Sequence, residues 1–483
     1  MRRRPDLIVL AALFAGGVAL RAWLMVEWRP GFLGFPDTYG YVSNSVPEGY
    51  FVDGLRPIGY PLLLAGAREL SSDLSATVLL QHLLGLGAGA CVYLAGRAFG
   101  LGRWPALLPA AVMLVHGSAV WFEHGLLTEG PFSFFVCAAL VPVALAMRPD
   151  RGPRGRAGLA ALAGALAAMA VGVRPVFLPC LALLVAWAAW ALPGPPRQRL
   201  AAAGALAAVG GGLVLANLAW AHDETGRWSL ARYEYTALYG RVAQFADCDE
   251  FDPPPRTEGL CPTTPRRWRW GPRAYVFSPH SPLVRSFGDP AAPGAPADAH
   301  ERANAFSRAA ILHQPLDYLR VVGRDLVRLV DPDFPLNPNP AVTNKGSGGQ
   351  PGRYLHNLPG VTTAAAERAN LDIVSQLYSS DGIERGDLDP FRSYERATRL
   401  SGVPWLLLLL LALAAAPLTR GSERRAALLL APYALVLTVF PVLFHSYDWR
   451  FQMVALGPLA MAAAFGAQGV AARVAARRQA PQG

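Results

Sequence analysis

Ten stretches of the chain are apolar for long enough to approach or reach a membrane span, and short polar turns separate most of them. A spanning helix needs about 20 predominantly apolar residues. The runs are Leu7–Val26, Ala76–Gly96, Trp104–Phe122, Gly130–Met147, Ala157–Val171, Val176–Leu192, Leu200–Ala221, Val403–Leu418, Ala426–Phe444 and Phe451–Ala472. They predict an all-α polytopic membrane protein with about ten transmembrane helices, interfacial helices and a mixed, mostly α extracytoplasmic segment. Pro57–Leu70 is short for a span and begins within Arg-Pro-Ile-Gly-Tyr-Pro, which predicts a helix lying at the interface. Three regions follow: a transmembrane module over 1–221 with a first polar loop at 27–56, a polar segment over 222–400, and C-terminal helices with a basic tail over 401–483.

Within the polar segment, Phe306, Ala310, Leu316, Leu319, Val322, Leu326 and Leu329 recur at three- and four-residue spacing, predicting helix over Ala299–Val330. Ala364–Tyr378 has a helical pattern too. Asp331–Gly352 holds five Pro and four Gly and predicts a loop.

Composition agrees with the pattern. Only 16% of residues are charged, against roughly 25% in soluble domains. The net charge of +10 suggests nucleic acid until its distribution is examined. Residues 222–400 carry 21 basic and 22 acidic side chains, so the excess lies among the apolar runs. There it forms clusters: Arg2–Arg4, Arg97 and Arg103, Arg148–Arg156, Arg197 and Arg199, Arg420–Arg425, and Arg473–Arg478. With the N-terminus inside, ten spans put every cluster in the cytoplasm, as the positive-inside rule requires. Both termini are then cytoplasmic in a cell (plasma or inner) membrane, residues 222–400 lie outside, and nucleic acid is excluded as a partner. Cys91, Cys137 and Cys180 read as small hydrophobes, whereas Cys248 and Cys261 share the polar segment and could pair if it faces an oxidising compartment.

Charges at membrane depth are costly unless paired or hydrated. Arg174 interrupts an apolar sequence beside Pro175, and a guanidinium there calls for a carboxylate or phosphate. Glu129 opens a span, where an acid also suits the helix dipole. His445 and Arg450 flank a tight turn in which Asp448 offers Arg450 a simple partner. Asp37 lies in the first polar loop, where it could serve as a helix N-cap. Trp268, Trp270, Tyr275 and Phe277 alternate with arginines, either to stack on a sugar or to pin a loop. No zinc-like His/Cys spacing and no Gly-x-Ser-x-Gly elbow occurs. Gly85-Leu-Gly-Ala-Gly has no strand before it and reads as helix packing rather than a phosphate loop.

In order, the chain presents an acid in the first outer loop, Arg56-Pro-Ile-Gly-Tyr-Pro, Thr128-Glu129, Val173-Arg174-Pro175 and a late Arg450. This order resembles the GT-C superfamily of membrane glycosyltransferases, family 39 type, which includes protein mannosyltransferases and lipid A aminoarabinose transferases. The resemblance is best over Met1–Ala221. It implies a polyprenyl-phosphate-linked sugar donor in the lipid bilayer, a glycan, lipid or protein acceptor, and inverting transfer on the extracytoplasmic face. Asp37 then corresponds to the catalytic carboxylate, and Arg56, Arg174 and Arg450 to groups near the donor phosphate. Glu129, Tyr41, Tyr60 and His445 become acceptor-binding or orienting candidates. Thr38 stands where some members carry a second acid, which leaves a divalent-metal requirement open; no other cofactor is implied. A transporter or lipid-sugar flippase, or a non-catalytic envelope scaffold, is the competing reading.

Overall fold

The computed structural model describes residues 4–35, 37–52, 55–231, 233–289, 296, 298–331, 334, 361–379 and 384–479. The first helices are Pro5–Glu27 (α1), Asp37–Ser43 (α2), Gly59–Leu70 (α3), Leu74–Phe99 (α4), Leu107–Val115 (α5), Gly117–His124 (α6) and Glu129–Ala146 (α7). Pro153–Val173 (α8), Leu178–Ala191 (α9) and Pro196–Thr225 (α10) complete the N-terminal set. The polar segment supplies Tyr233–Val242 (α11), Pro272–Phe277 (α12), Pro282–Phe287 (α13), Ala299–His313 (α14), Pro315–Val327 (α15), Val361–Leu377 (α16) and Asp389–Thr398 (α17). Val403–Leu418 (α18), Gly421–Phe444 (α19), Trp449–Met453 (α20) and Leu456–Gln479 (α21) close the chain. Trp28–Arg29 pairs antiparallel with Glu384–Arg385 in a two-stranded ribbon.

Eight helical stretches among the described residues are long and apolar enough to cross a membrane. The other two predicted spans are helical but shorter. Trp104–Phe122 divides at His116, whose backbone is extended and whose ring accepts the Ala119 N–H as the cap of α6. Continuous hydropathy hides such a break because a buried histidine cap interrupts the helix without adding a formal charge. Val176–Leu192 becomes a 3-10 turn, Pro175–Phe177, followed by the 14-residue α9. The last predicted span begins later than expected: Asp448 starts α20, and the long helix starts at Leu456. Ala299–Val330 likewise divides, because Pro315 starts a new helix after His313. Nearly all of the loop predicted at Asp331–Gly352 lies outside the described residues.

Turn chemistry sets the remaining ends. Asp73 accepts the Ser75 N–H at 2.8 Å to start α4, and Gly100, at φ +114°, ends it in the left-handed region. Arg174 precedes a proline, which disfavours the helical conformation, and its backbone is extended at φ −147°. Its side chain is thereby turned out of α8. Gly59, at the start of α3, passes so close to Gly172 that a Cβ would lie 2.4 Å from the Gly172 carbonyl carbon. That contact brings the Arg56 turn against the Arg174 turn. Gly85 sits within α4 beside the Glu123 carboxylate, confirming a packing position for this glycine.

Each of α7, α8, α19 and α21 has one end near Glu129, Arg174 or the 445–455 turn and the other near an arginine cluster. At that basic end Arg425 donates to the Ala191 carbonyl, and Arg156 donates to Ala146. The polar segment has a small apolar core of its own, built on Tyr239, Phe245, Phe251, Tyr275 and Phe306. A Cys248–Cys261 disulfide ties that region, with Cα atoms 6.1 Å apart.

Candidate active site

Five charged side chains from distant parts of the sequence meet at the loop-rich end of the bundle. Asp37 begins α2, so its carboxylate leaves the first turn of a short helix. The chain before it is pinned from both sides. Asn370 of α16 donates its amide to the carbonyls of Leu33 and Phe35, while the Thr38 hydroxyl donates to the Leu126 carbonyl at 3.3 Å. Arg56 Nη2 approaches Asp37 Oδ1 at 3.3 Å, and Arg450 Nη1 approaches Oδ2 at 3.1 Å.

Arg450 also holds Glu129, the first residue of α7, donating from Nε to Oε1 at 2.7 Å. Arg174 Nη2 donates to the same Oε1 at 2.6 Å, and its Nε donates to Thr128 Oγ1 at 2.7 Å. One oxygen of Glu129 therefore organises two guanidinium groups. Its other oxygen, Oε2, is buried without a hydrogen-bond partner. Aromatic rings shape the walls. Arg450 lies 5.9 Å from the Phe35 ring and 5.8 Å from Phe122, and Arg174 lies 5.7 Å from Phe132.

Burial is graded across the group. Glu129 has 2% of its side chain exposed and Arg450 7%, whereas Asp37 retains 29%. The carboxylate available to an incoming molecule is consequently Asp37. Burial works to raise its pKa, but Arg450 and Arg56, with Arg273 further away, prevail and hold the carboxyl well below its usual range.

Arg273 reaches this region from α12 in the polar segment, with Nη1 3.9 Å from Asp448 Oδ2. The sequence pattern placed it only in an aromatic-rich loop. Asp448 does not take the Arg450 guanidinium as the simple pairing suggested. Its Oδ1 accepts the Arg450 backbone N–H at 3.0 Å and caps α20, leaving the guanidinium for Asp37 and Glu129. Among the described residues Arg56, Arg174, Arg273 and Arg450 gather around Asp37, Glu129 and Asp448.

The other candidates take supporting positions. Tyr41 packs edge-on against Tyr60 at 4.9 Å and lies beneath Arg56, 5.4 Å from the guanidinium carbon. Burial, with Asp37 beside it, raises the Tyr41 hydroxyl pKa. The Tyr60 hydroxyl donates to Gln81 Oε1 at 2.7 Å. His445 ends α19, where burial together with Arg273 and Arg241 pushes its imidazole down to about 3 and keeps it neutral. Among the described residues no group of three or more His, Cys, Asp or Glu side chains is placed to hold a metal ion. Trp268 and Phe277 are exposed, while Trp270 packs on Tyr275 at 5.3 Å.

A second buried cluster supports the turn that carries Arg450. Asp325 Oδ2 accepts from Arg241 Nη2 at 2.6 Å and from the Tyr447 backbone N–H at 2.9 Å. Its Oδ1 lies 3.5 Å from Arg328 Nη1, and all three side chains are fully buried. Arg241 additionally donates to the Val442 carbonyl at 2.6 Å. Sequence reading missed this cluster. Its available signal was an Asp and an Arg at i and i+3 among the apolar positions of Ala299–Val330. Breaking a buried ion pair from one side costs about 3–5 kcal/mol. Asp325→Asn is therefore expected to lower the melting temperature of the purified protein clearly, and an unchanged melting temperature would contradict that role.

No protein-family model and no curated protein matches the chain. Solved structures do show likenesses. The chain is similar to the S. cerevisiae protein O-mannosyltransferase complex bound to the sugar donor, at 19% identity and a TM-score of 0.37, over 55% of this chain and 38% of that one. It is similar to the Archaeoglobus fulgidus oligosaccharyltransferase tethered with an acceptor peptide, at 12% identity and a TM-score of 0.47, over 100% and 51% of the two chains. A third likeness is to ArnT from Cupriavidus metallidurans bound to undecaprenyl phosphate, at 13% identity and a TM-score of 0.37, over 99% and 80%. The chain thus spans about half or less of the length of the first two. At such scores the chemistry of the site rests on this chain's own residues.

Proposed function

We propose that this protein transfers a sugar from a polyprenyl-phosphate-linked donor to an acceptor hydroxyl, with inversion, and that Asp37 is the general base. The observation that carries this reading is the convergence of Asp37 and Glu129 on Arg450, with Arg56 and Arg174 completing the group. The site lies at the membrane end opposite the basic clusters, which supports an extracytoplasmic reaction and cytoplasmic termini.

The donor is a phosphodiester with one negative charge, which the guanidinium groups gathered at the site suit. As the acceptor oxygen bonds to the anomeric carbon, the bond from that carbon to the phosphate oxygen breaks. The electron pair stays on the phosphate, which becomes a polyprenyl phosphate monoester with additional negative charge. The acceptor proton passes to Asp37. Arginines aimed at developing charge stabilise the transition state more than the ground state. Glu129 keeps Arg174 and Arg450 in their planar orientation, and Tyr41 supports Arg56. The polyprenyl phosphate is itself the leaving group, so no nucleotide is required, and its tail stays in the bilayer.

Asp37 bound to two guanidinium groups is a weak base at rest. The donor phosphate competes for those cations, and as they turn to it the Asp37 pKa rises toward its ordinary value. The two kinetic limbs are therefore expected to separate. The acid limb of kcat/KM reports free protein and falls below the usual carboxylate range, whereas that of kcat reports the donor complex and lies at higher pH. Coincident limbs would contradict donor-induced activation. In stability the depressed pKa acts with the same sign: the ion-paired carboxylate contributes above its unfolded value, and the contribution fades as pH falls through the folded value.

The test in cells compares envelope lipids and glycans by mass spectrometry with the gene present, deleted, or carrying Asp37→Asn. Loss of one sugar modification in both altered strains is expected. A modification kept in full by the variant would remove the catalytic assignment.

A further inference from the structure

We propose that α15 is a membrane-surface helix whose outer face lies in the boundary between headgroups and acyl chains of the bilayer that the chain spans. On α15, Leu316 is 67% exposed and Leu319 57%. Val327 is exposed as well, and open space surrounds the position a Cβ would take on Gly323. Within α15, residues 316, 319, 323 and 327 recur at three- and four-residue spacing, so they form one stripe. Such a stripe in water is an unsatisfied apolar face, whereas at a bilayer surface it is solvated.

Position in the fold selects lipid as the occupant. The Tyr318 hydroxyl donates to the Leu443 carbonyl at 3.1 Å, fastening α15 to the last turn of the span α19, where Phe444 is exposed. Beyond the helix, the Val330 carbonyl lies 3.4 Å from the Cβ position of Gly402, just before α18. That span presents Val403, Leu407, Leu410 and Leu413 outward. The stripe thus continues the apolar surface of two spans at the level where both end. Arg320 flanks it, pairing with Asp317 at 2.7 Å while remaining exposed, a placement suited to an anionic headgroup.

The opposite face of α15 carries Asp325, which holds the Tyr447 backbone, three residues before Arg450. Asp325 thereby joins α15 to the turn that presents Arg450. The lipid contact itself stands without any assumption about transfer chemistry.

Leu316→Cys and Leu319→Cys, each introduced into the full chain, are labelled with an environment-sensitive fluorophore and reconstituted in phosphatidylcholine–phosphatidylglycerol vesicles. The labelled parent chain corrects for Cys91, Cys137 and Cys180, and Arg308→Cys on the exposed side of α14 serves as the water-facing reference. Nitroxide placed near the headgroup end of the lipid chains is expected to quench both stripe positions at least about twofold, with little quenching by aqueous iodide. The reference position is expected to show the reverse. Quenching by iodide at the stripe would overturn the proposal, and so would protection from both quenchers, which would mean that protein covers the face. Size-exclusion profiles establish that each variant is folded, and either position alone decides the outcome.

Discussion

Asp37→Asn is expected to lower kcat for sugar transfer by about 10²–10⁴-fold, the range that a positioned general base supplies. Asn has nearly the same shape and suits the first turn of a short helix, so α2 should persist. It cannot take the acceptor proton. It also releases Arg450 and Arg56 from a carboxylate, so the site would carry one negative charge fewer. The donor KM should consequently stay level or fall. This split distinguishes a lost base from a damaged site, because damage would weaken donor binding together with turnover. Purified protein in lipid nanodiscs with a defined polyprenyl-phosphate sugar gives both constants. An unchanged kcat would end the assignment.

Arg450→Lys is expected to reduce kcat/KM by about 10²–10³-fold, comparable to removing one oriented donor from a transition-state anion site. The guanidinium spans two carboxylates at once, with Nη1 at 3.1 Å from Asp37 and Nε at 2.7 Å from Glu129. A lysine ammonium is a single point charge and cannot reproduce that fork. The flat faces that Phe35 and Phe122 present to Arg450 would also lose their partner. The variant retains charge, so it should fold and insert. Arg450→Ala goes further by leaving the buried Glu129 with Arg174 as its remaining cation, and about 3–5 kcal/mol of stability is at risk. Comparing the melting temperatures of the two variants separates charge burial from phosphate recognition. Full kcat/KM in the lysine variant would contradict the proposed role.

The spanning architecture was legible because hydropathy at the scale of a bilayer is a property of each segment alone. The exceptions show the boundary of that statement. His116 breaks Trp104–Phe122 by capping a new helix, an event that depends on one ring and one N–H rather than on mean apolarity. Pro315 divides the long amphipathic stretch for a local reason visible in sequence, yet a three- and four-residue period continues across it. For the site, charges in otherwise apolar surroundings marked Arg174 and Glu129, while the order of motifs supplied Asp37, Arg56 and Arg450. Which groups touch was not legible. Asp448 is nearest to Arg450 in sequence but accepts only its backbone N–H, and the side chain goes to residues more than 300 positions away. Asn370, Arg273 and the Asp325 cluster were hidden because their importance comes wholly from tertiary proximity. A buried carboxylate between two buried arginines looks like ordinary helix-surface polarity until the elements around it are assembled.

The most direct measurement follows a doubly labelled donor, with one label on the sugar and another on the polyprenyl chain, incubated with the purified protein in sealed vesicles and an envelope extract as acceptor source. The account predicts that the sugar label leaves the lipid and enters an acceptor, that polyprenyl phosphate accumulates in equal amount, and that Asp37→Asn does neither. Intact donor appearing in the opposite leaflet, with both labels still joined, would contradict transfer chemistry and establish a flippase instead.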